Sequence, residues 1–348
     1  MPFFSKEHGK RMKNHLSTAF SYVAGMIQSK SSHMSHAGSK TAIKIKSESA
    51  QENYRRLIKN PRVTANILFT PFIKKFMNTI NLPTYYVVID GSTVGRNGLA
   101  LMASVVYQGR GIPLTWIVKN GKKGHFPVKS HVSMIRKIKA LLPPDADVVI
   151  LGDGEFDGVK LLAEIERNNW QYVTRTAHTN TLITAEGEVL KFSKIRPEQG
   201  DCNIESDVAF TDELYEVVSA VAWWGKSNDE PIYLISNMDN MLEIISTYKK
   251  RFSIETFFCD QKSKGFKIDK SRVSAPVRLS KLLAIACLAY IWIVYLGVVC
   301  KKKKLQHEVH RKSRCDLTIF QLGFRMLDHL LNRNKKIPIK LGNSAFWT

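Results

Sequence analysis

Four residues near the end of the chain have types and spacings that suit phosphate chemistry. In the stretch "YKKRFSIETFFCDQK", Tyr248, Arg251, Glu255 and Lys262 are separated by three, four and seven positions. At helical pitch these residues share one face of a single helix. A guanidinium binds phosphate through two hydrogen bonds, a phenol donates one and an ammonium adds charge. The alternative is an exposed face on which Arg251 and Glu255 form an ordinary ion pair worth ~0.2–0.5 kcal/mol.

Two aspartates earlier in the chain extend this chemistry to metal binding. Asp90 and Asp153 each end an apolar, strand-like run and each precede a glycine. Neighbouring strand ends bring such acids together, and Glu255 on a helix across that edge completes a cluster of three. Carboxylates without His or Cys suit Mg²⁺ or Mn²⁺ rather than zinc. Two such ions would activate the attacking oxygen and stabilise the leaving oxygen of a phosphoryl transfer.

Other residues compete with these assignments. An aspartate before glycine is also common in turns, which applies to both aspartates. Glu155 and Asp157 compete with Asp153, and Asp157 is expected to cap the helix that follows. His125, His131, His307 and His310 have no companion ligands in the sequence, so we expect them to be surface residues or residues that flank bound DNA.

The elements that must position these acids form a mixed sheet. Three strands with short Gly-rich turns are predicted first, over residues 85–90, 99–108 and 112–119, as an antiparallel meander. A helix over 129–142, a buried strand that ends at Asp153, a second helix and the strand "QYVTRTA" follow. The predicted fold is therefore α/β, with helices on the faces of the sheet.

The remaining regions complete a four-part organisation. We predict a basic helical DNA-binding region at 1–82, a catalytic core at 83–177 and 231–300, a β-strand insertion at 178–230, and a basic C-terminal region at 301–348 for DNA or dimer contacts. The core includes a helix that begins near Asp239 and carries the Tyr248 to Lys262 stretch.

The charge distribution indicates a polyanionic partner. The net charge is +22, with a net of +11 over residues 1–80 and +14 over 256–348. The centre, residues 81–255, has a net of −3, and within it residues 179–230 have a net of −7. Neutralising phosphates releases condensed counterions, so basic flanks of this size favour nucleic-acid binding. Ordinary solubility charge is the alternative.

Cysteine content and hydropathy give further information on the class of protein. The five cysteines form no CxxC pair, which argues against a zinc site or a disulfide framework and fits a reducing cytosol. The uncharged run at 282–299 reaches the lower limit for a membrane span, with Lys281 before it and four lysines after it. Periodicity alone cannot separate such a span from a buried core helix. We predict a core helix and no membrane partner.

The spacing of the four residues resembles a known family. It is similar to that of the DDE transposases of bacterial insertion sequences, in the cut-and-paste branch marked by Tyr, two residues, Arg, three residues, Glu, six residues and Lys. Tyr248, Arg251, Glu255 and Lys262 match this signature without a gap. The resemblance covers roughly residues 85–300, through "VIDGST", "LGDGEFDG", "YLISN" and the apolar helix after the signature.

The resemblance implies an RNase H-like core, a β-strand insertion between the second aspartate and the glutamate, and transposition by hydrolysis and strand transfer. Carried over residue by residue, the metal ligands for two Mg²⁺ or Mn²⁺ ions would be Asp90, Asp153 and Glu255. The residues that hold the phosphates of the transposon end would be Tyr248, Arg251 and Lys262.

The resemblance also implies partners and a role for the insertion. Trp223 or Trp224 is a candidate for stacking on a flipped base, although a buried strand end is the slightly favoured explanation of "AWW". The expected partners are double-stranded DNA, as terminal inverted repeats and target, and a second copy of the chain on that DNA. A bacterial cytoplasmic, nucleoid-associated location follows. The alternatives are an RNase H-like nuclease without strand transfer and a non-catalytic DNA-binding protein.

Overall fold

A ten-stranded mixed β-sheet runs through the computed structural model, which describes residues 10–41, 43–121, 125–211, 213, 215–311 and 314–339. The first five strands are β1 (Tyr85–Val94), β2 (Gly98–Tyr107), β3 (Arg110–Asn120), β4 (Val148–Gly152) and β5 (Gln171–Thr176). The other five are β6 (Thr181–Ile183), β7 (Val189–Lys191), β8 (Cys202–Phe210), β9 (Tyr215–Trp223) and β10 (Ile232–Ser236). Their order across the sheet is β3-β2-β1-β4-β5-β10-β9-β8-β6-β7.

Strand directions confirm the mixed sheet predicted from the sequence. β1, β2 and β3 form an antiparallel meander, whereas β1 pairs with β4, and β4 with β5, in parallel. The order β3-β2-β1-β4-β5, with β2 antiparallel to the others, is the RNase H-like arrangement. All five residues of β4 are buried, as expected for a parallel strand covered on both faces.

Ten α-helices surround this sheet in the described part of the chain. Four precede it, α1 (Lys10–Ser29), α2 (Met34–Ser39), α3 (Ser47–Lys59) and α4 (Ala65–Thr79). Two lie between its strands, α5 (Val128–Lys139) and α6 (Val159–Glu166). Four follow it, α7 (Met241–Lys249), α8 (Phe252–Gln261), α9 (Pro276–Lys302) and α10 (Ile319–Asn332). The predicted basic flanks extend beyond this part, since 1–9 and 340–348 lie outside the described residues.

The apolar run forms the central helix of the core, as the sequence predicted. α9 is long and apolar enough to cross a membrane by length and composition, but 94% of its most apolar window is buried inside the protein. It contacts α1, α3, α4, α10 and β3. At Gly297 an added Cβ would lie 2.0 Å from the carbonyl oxygen of Ile319, so glycine allows the backbones of α9 and α10 to touch.

A buried lysine ties the N-terminal helices to this core. Lys281 of α9 is 2% exposed, and its Nζ donates to the carbonyl oxygens of Ile58 at 3.1 Å and Asn60 at 2.5 Å. These carbonyls end α3, where helical backbone has no partner of its own. The helices before the sheet therefore share the hydrophobic core of the sheet.

The segment predicted as a β-strand insertion continues the main sheet. β9 pairs with β10 from Trp223 opposite Ile232 to Ser219 opposite Ser236. β8, β6 and β7 follow outward from β9 in antiparallel pairs. Because β10 also pairs with β5, these strands extend the central sheet at one edge.

Candidate active site

Asp90 and Asp153 occupy equivalent positions on neighbouring strands. The parallel ladder of β1 and β4 runs from Tyr85 opposite Val148 to Val88 opposite Leu151. The same offset aligns Asp90 with Asp153, two positions past the last pair of the ladder. Adjacent strands lie ~4.8 Å apart, so the two carboxylates meet at one place on the sheet.

The position of Asp90 within its strand differs from the prediction. Asp153 directly follows β4, as expected, but Asp90 does not end β1, which continues to Val94. β2 remains hydrogen-bonded beyond the point where β4 stops, and Asp90 pairs there with Met102. The acid therefore projects from a strand supported on one side only.

Local hydrogen bonds fix both carboxylates. The backbone N–H of Gly91 donates to Asp90 Oδ1 at 2.7 Å, and that of Glu155 donates to Asp153 Oδ1 at 3.0 Å. Gly152 permits the tight turn after β4, because an added Cβ would lie 2.6 Å from Cβ of Phe156. One oxygen of each aspartate is thus held by the backbone.

The pKa of Asp90 reflects its acidic neighbours. It is raised to about 6, mainly by burial and also by the charges of Asp153 and Glu255, while the Gly91 N–H and Arg251 act in the opposite direction. A buried carboxyl group with a raised pKa beside other carboxylates is typical of functional sites.

Glu155, one competitor of Asp153, is engaged elsewhere. It accepts hydrogen bonds from the backbone N–H of Phe126 and, at 3.2 Å, from His131 Nε2, and it lies 3.3 Å from His125 Nδ1. His131 is 4% exposed, so the prediction that it lies at the surface is wrong. It is buried because α5 packs over the turn after β4 and Glu155 supplies its partner.

Asp157, the other competitor, also has a structural partner. Its Oδ2 accepts from Thr176 Oγ1 at 2.7 Å and from Asn180 Nδ2 at 3.3 Å, which ties the turn to the end of β5. The prediction that Asp157 caps the next helix is wrong. The N-cap of α6 is Gly158, which makes no side-chain capping bond.

The signature stretch forms two helices rather than one. α7 ends at Lys249 and α8 begins at Phe252. Between them the N–H groups of Lys250, Arg251, Ser253 and Ile254 bond to the carbonyl three residues back, as in a 3₁₀ turn. The expected single helical face is therefore wrong in detail.

Two cation–ring contacts flank the tighter turn, which also sets the position of Arg251. Lys249 lies over the ring of Trp223 at 4.6 Å, and Lys250 lies over that of Tyr86 at 3.9 Å, so consecutive cations are drawn to different aromatic rings. In a 3₁₀ turn residues three apart eclipse one another. Arg251 accordingly lies 5.7 Å from the ring of Tyr248.

Arg251 connects the strand acid to the helix acid. Its Nη2 donates to Glu255 Oε1 at 2.6 Å, and its Nη1 lies 3.7 Å from Asp90 Oδ2. The side chain of Arg251 is 11% exposed, whereas that of Glu255 is 48% exposed. The i,i+4 pair considered from the sequence is therefore present, but the same guanidinium also faces the aspartate.

The other two signature residues lie near the same acids. Tyr248 is buried, and burial raises the pKa of its phenol. The charge of Asp153 also raises this pKa, whereas those of Arg251 and Arg175 lower it. Lys262 Nζ donates to Thr93 Oγ1 at 3.3 Å. Burial lowers the pKa of Lys262, while Asp90 acts in the opposite direction. Arg175 on β5 was not identified from the sequence.

A buried ion pair positions α8. Arg110 Nη1 lies 2.9 Å from Asp260 Oδ2, with side chains 8% and 2% exposed. Burial raises the pKa of Asp260 to about 6, more than Arg110 lowers it. The ion pair was not predicted from the sequence, although Asp260 continues the buried stripe of Ile254 and Phe257 at a spacing of three.

The two tryptophans of the insertion are both partly buried. Trp223 ends β9 and lies under Lys249 of α7. Trp224 lies 4.6 Å from the guanidinium of Arg196, and its Nε1 donates to the carbonyl of Asn228 at 3.0 Å. The structure thus places Trp223 beside the signature helices, and base stacking stays a prediction for either residue.

The acids suit a hard divalent ion by donor chemistry. No group of three His, Cys, Asp or Glu side chains within the described ranges is arranged to hold a metal ion. Glu255 is hydrogen-bonded to Arg251 instead. Its exposed side chain can reorient, and the mutual repulsion on Asp90 is relieved by a cation. The residues therefore fit Mg²⁺ or Mn²⁺ once Arg251 releases Glu255.

Sequence comparison identifies the family that this site defines. A family model described as the transposase DDE domain matches residues 87–292, which include all three acids and the complete signature. The chain belongs to this family of transposases. Comparison with curated proteins found no match.

Several solved structures are similar to the chain at low sequence identity. A piggyBac transposase synaptic complex with hairpin DNA is 12% identical, with a TM-score of 0.45 and coverage of 96% of this chain and 75% of that chain. Endonuclease V of Ciona intestinalis, in complex with a 24mer DNA containing an inosine followed by a ribo-adenosine, is 15% identical, with a TM-score of 0.29 and coverage of 63% and 95%. Human ENDOV is 13% identical, with a TM-score of 0.26 and coverage of 58% and 82%.

Proposed function

We propose that the protein is a cut-and-paste DNA transposase of the Tyr-Arg-Glu-Lys branch, which cleaves transposon ends and joins them to target DNA. The observation that carries this proposal is the alignment of Asp90 with Asp153 at one site of the sheet, together with an arginine that faces both Asp90 and Glu255. Crowded carboxylates beside a phosphate-binding cation are what phosphodiester cleavage requires.

Each proposed site residue has a distinct task. Asp90, Asp153 and Glu255 hold the metal ions, which supply Lewis-acid activation of the attacking and leaving oxygens when bound. Arg251 exchanges its carboxylate partners for the scissile phosphate, which its planar fork binds through two hydrogen bonds. Lys262, at the end of α8, adds a positive charge for the same strand.

The rest of the chain supplies the DNA contacts in this proposal. The basic N-terminal and C-terminal regions bind duplex DNA, with the former at the terminal repeat, and two copies of the chain bring two ends together. Trp223, which lies beside α7, stacks on an unpaired base near the cleavage site in this proposal. The proposed location is the bacterial cytoplasm, on the nucleoid.

The test is cleavage and joining of DNA by the purified full chain. The donor plasmid carries the reading frame with its native flanking DNA, and reactions contain Mg²⁺, Mn²⁺ or EDTA. We expect metal-dependent release of the segment, and joining of precleaved ends to a target plasmid. Metal-dependent cleavage without joining would restrict the protein to nuclease activity.

Matched variants assign the activity to the site. We expect Asp90→Asn, Asp153→Asn and Glu255→Gln each to lower the cleavage rate by at least ~10³-fold, because a lost carboxylate removes a metal ligand. Asp239→Asn and Glu243→Gln change exposed acids near the start of α7 and should retain wild-type rates. Full activity of Glu255→Gln would contradict the proposal.

A further inference from the structure

A second basic site lies away from the acid cluster, between the N-terminal helices and the segment that precedes α9. It is a cleft of about 570 Å³. Its charged lining consists of cations, with Arg55 and Lys59 on α3, Arg272 in the segment before α9, and Arg278 in the first turn of α9. None of the described residues that line it is an aspartate or glutamate.

The positive charge of Arg272 and Arg278 is not neutralised by another residue in the described part of the chain. Arg55 is ion-paired with Glu52. Arg272 and Arg278, both exposed, form no ion pair with another described residue. Their charges act on their neighbours instead, since Arg272 adds to burial and His36 in lowering the pKa of His33, and Arg278 adds to burial in lowering that of Lys281. An anion in the cleft would therefore meet two arginines, Arg272 and Arg278, that are not held by a carboxylate of the described residues.

The cleft is built from segments that are anchored to one another. The N–H of Ser32 donates to the carbonyl of Phe266 at 2.6 Å, and Ser32 Oγ donates to that of Lys267 at 3.2 Å. These bonds join the connection between α1 and α2 to the segment before α9. The two walls are therefore held at a fixed separation.

The same segment is fastened to the strand that carries Asp90. The N–H of Gly95 donates to the carbonyl of Ile268 at 3.0 Å, and that of Arg96 donates to the carbonyl of Val273 at 2.9 Å. Gly95 follows Asp90 by five positions, just past the end of β1, which in extended backbone is a distance of ~17 Å. Duplex DNA rises ~3.4 Å along its axis for each base pair, so this distance corresponds to about five base pairs along the axis, or half a helical turn.

A run of cations connects the two sites. Between the end of α8 and the start of α9, the segment 262–275 carries five basic residues and one acid. The basic residues are Lys262, Lys264, Lys267, Lys270 and Arg272. A polyanion that begins at the acid cluster thus follows positive charge to the cleft.

We propose that this cleft binds the phosphate backbone of duplex DNA, about half a helical turn from the phosphodiester at Asp90. This inference rests on the proposed function, because it places the substrate duplex at the acid cluster. Arg272 and Arg278 contact phosphates, and they fix the register of the duplex rather than its sequence.

The test measures DNA binding without catalysis. The full chain, in EDTA, is titrated into a fluorescent 30-base-pair duplex of arbitrary sequence at several salt concentrations. The cleft variant is Arg272→Ala with Arg278→Ala. The control is Lys139→Ala with Lys160→Ala, which removes two exposed charges from α5 and α6, outside the cleft lining. Circular dichroism checks that each variant is folded.

We expect the cleft variant to lose affinity by up to about 60-fold at 0.1 M salt, with a salt slope smaller by about 1.8, because each phosphate contact contributes about 0.9 to the slope. The control should retain most of the wild-type slope. Equal behaviour of the two variants would overturn the proposal. A second result would also overturn the proposal: saturable pyrophosphate binding that is lost only in the cleft variant, while its affinity for the duplex is unchanged. The cleft would then bind a small phosphate compound rather than DNA.

Failure of the cleft proposal can be distinguished from failure of the proposed transposase function. If the wild-type chain joins DNA but the cleft variant binds like the control, the cleft assignment fails and the transposase assignment stands. If no cleavage occurs but the cleft variant loses duplex affinity, the transposase assignment fails and the cleft stands. Absence of any duplex binding by the wild type would overturn both.

Discussion

The guanidinium of Arg251 donates to the carboxylate of Glu255 at 2.6 Å, across the first turn of α8. The same guanidinium faces Asp90 at 3.7 Å, so one cation neutralises two of the three proposed metal ligands. A phosphate and a divalent ion would separate these groups. The phosphate would bind Arg251, and the ion would bind the carboxylates.

This relationship predicts the behaviour of Arg251 variants. We expect Arg251→Gln to lower the single-turnover cleavage rate by ~10²-fold or more, because the phosphate loses two charge-assisted hydrogen bonds. Arg251→Lys should recover little of this rate, because an ammonium cannot form the fork. Arg136→Gln, which changes an exposed arginine paired with Glu164, is the control. A rate for Arg251→Lys near that of wild type would contradict the bidentate role.

The buried charge of Asp90 predicts a gain in stability when it is removed. Its folded-state pKa of about 6 lies above the ordinary value of 3.8, so the folded state binds this proton more tightly than the unfolded state. The ionised carboxylate therefore costs stability in full above about pH 6, and this cost disappears as the pH falls from about 6 to below 3.8. A shift of this size corresponds to about 3 kcal/mol at most.

We expect Asp90→Asn to raise the free energy of unfolding at pH 8 by about 1–2 kcal/mol, because the buried carboxylate is removed. The gain is smaller than about 3 kcal/mol because Arg251 loses part of its partner charge. The gain should shrink toward zero near pH 4. Urea unfolding in EDTA at both pH values measures it, with Asp239→Asn as the control. A loss of stability at pH 8 would show that the carboxylate has a structural role.

The ion pair beneath α8 predicts strong coupling between Arg110 and Asp260. Removing either partner leaves a buried charge uncompensated, so Arg110→Met and Asp260→Leu should each cost about 3–5 kcal/mol. The double variant should cost less than either single variant, because no charge then remains buried. Urea denaturation of the four proteins gives the coupling energy. Additive losses would show that the two side chains do not interact.

The sequence predicted the acids better than it predicted their supports. Asp153 follows a buried strand, and the continuous run of apolar residues before it predicts that strand from the sequence alone. The glycine after Asp90 predicts a strand end at that residue. Pairing with β2 instead extends the strand to Val94, and no local sequence pattern shows which strand will pair with it. The register that aligns the two aspartates is likewise a property of the assembled sheet.

The same limit applies to the signature stretch. Its residues have the spacing of one helix. At the break, Lys249 and Lys250 contact Trp223 and Tyr86, which are distant in the chain and therefore not apparent from the local sequence. Glu155 and Asp157 compete with Asp153 in the sequence, because all three carboxyl groups lie within five residues after the same strand. Their hydrogen bonds to His131 and Thr176 separate them only in the folded protein.

The lysine that joins α9 to α3 gives a final prediction. Replacing Lys281 by Met keeps the apolar length of the side chain but removes both hydrogen bonds to the carbonyls of Ile58 and Asn60. We expect a loss of about 1–3 kcal/mol in the free energy of unfolding, because buried carbonyls lose their partner. The N-terminal helices should also become more sensitive to proteolysis, since this contact helps to hold α3 on the core.

The matched control for this variant lies on the same helix. Lys301→Met changes an exposed lysine in the last turn of α9 and should alter the free energy of unfolding by less than ~0.5 kcal/mol. Urea denaturation and limited proteolysis of both variants make the comparison. If Lys281→Met is as stable as Lys301→Met, the end of α3 does not depend on Lys281. Attachment of the N-terminal helices would then come from the apolar contacts of α9 with α1 and α4.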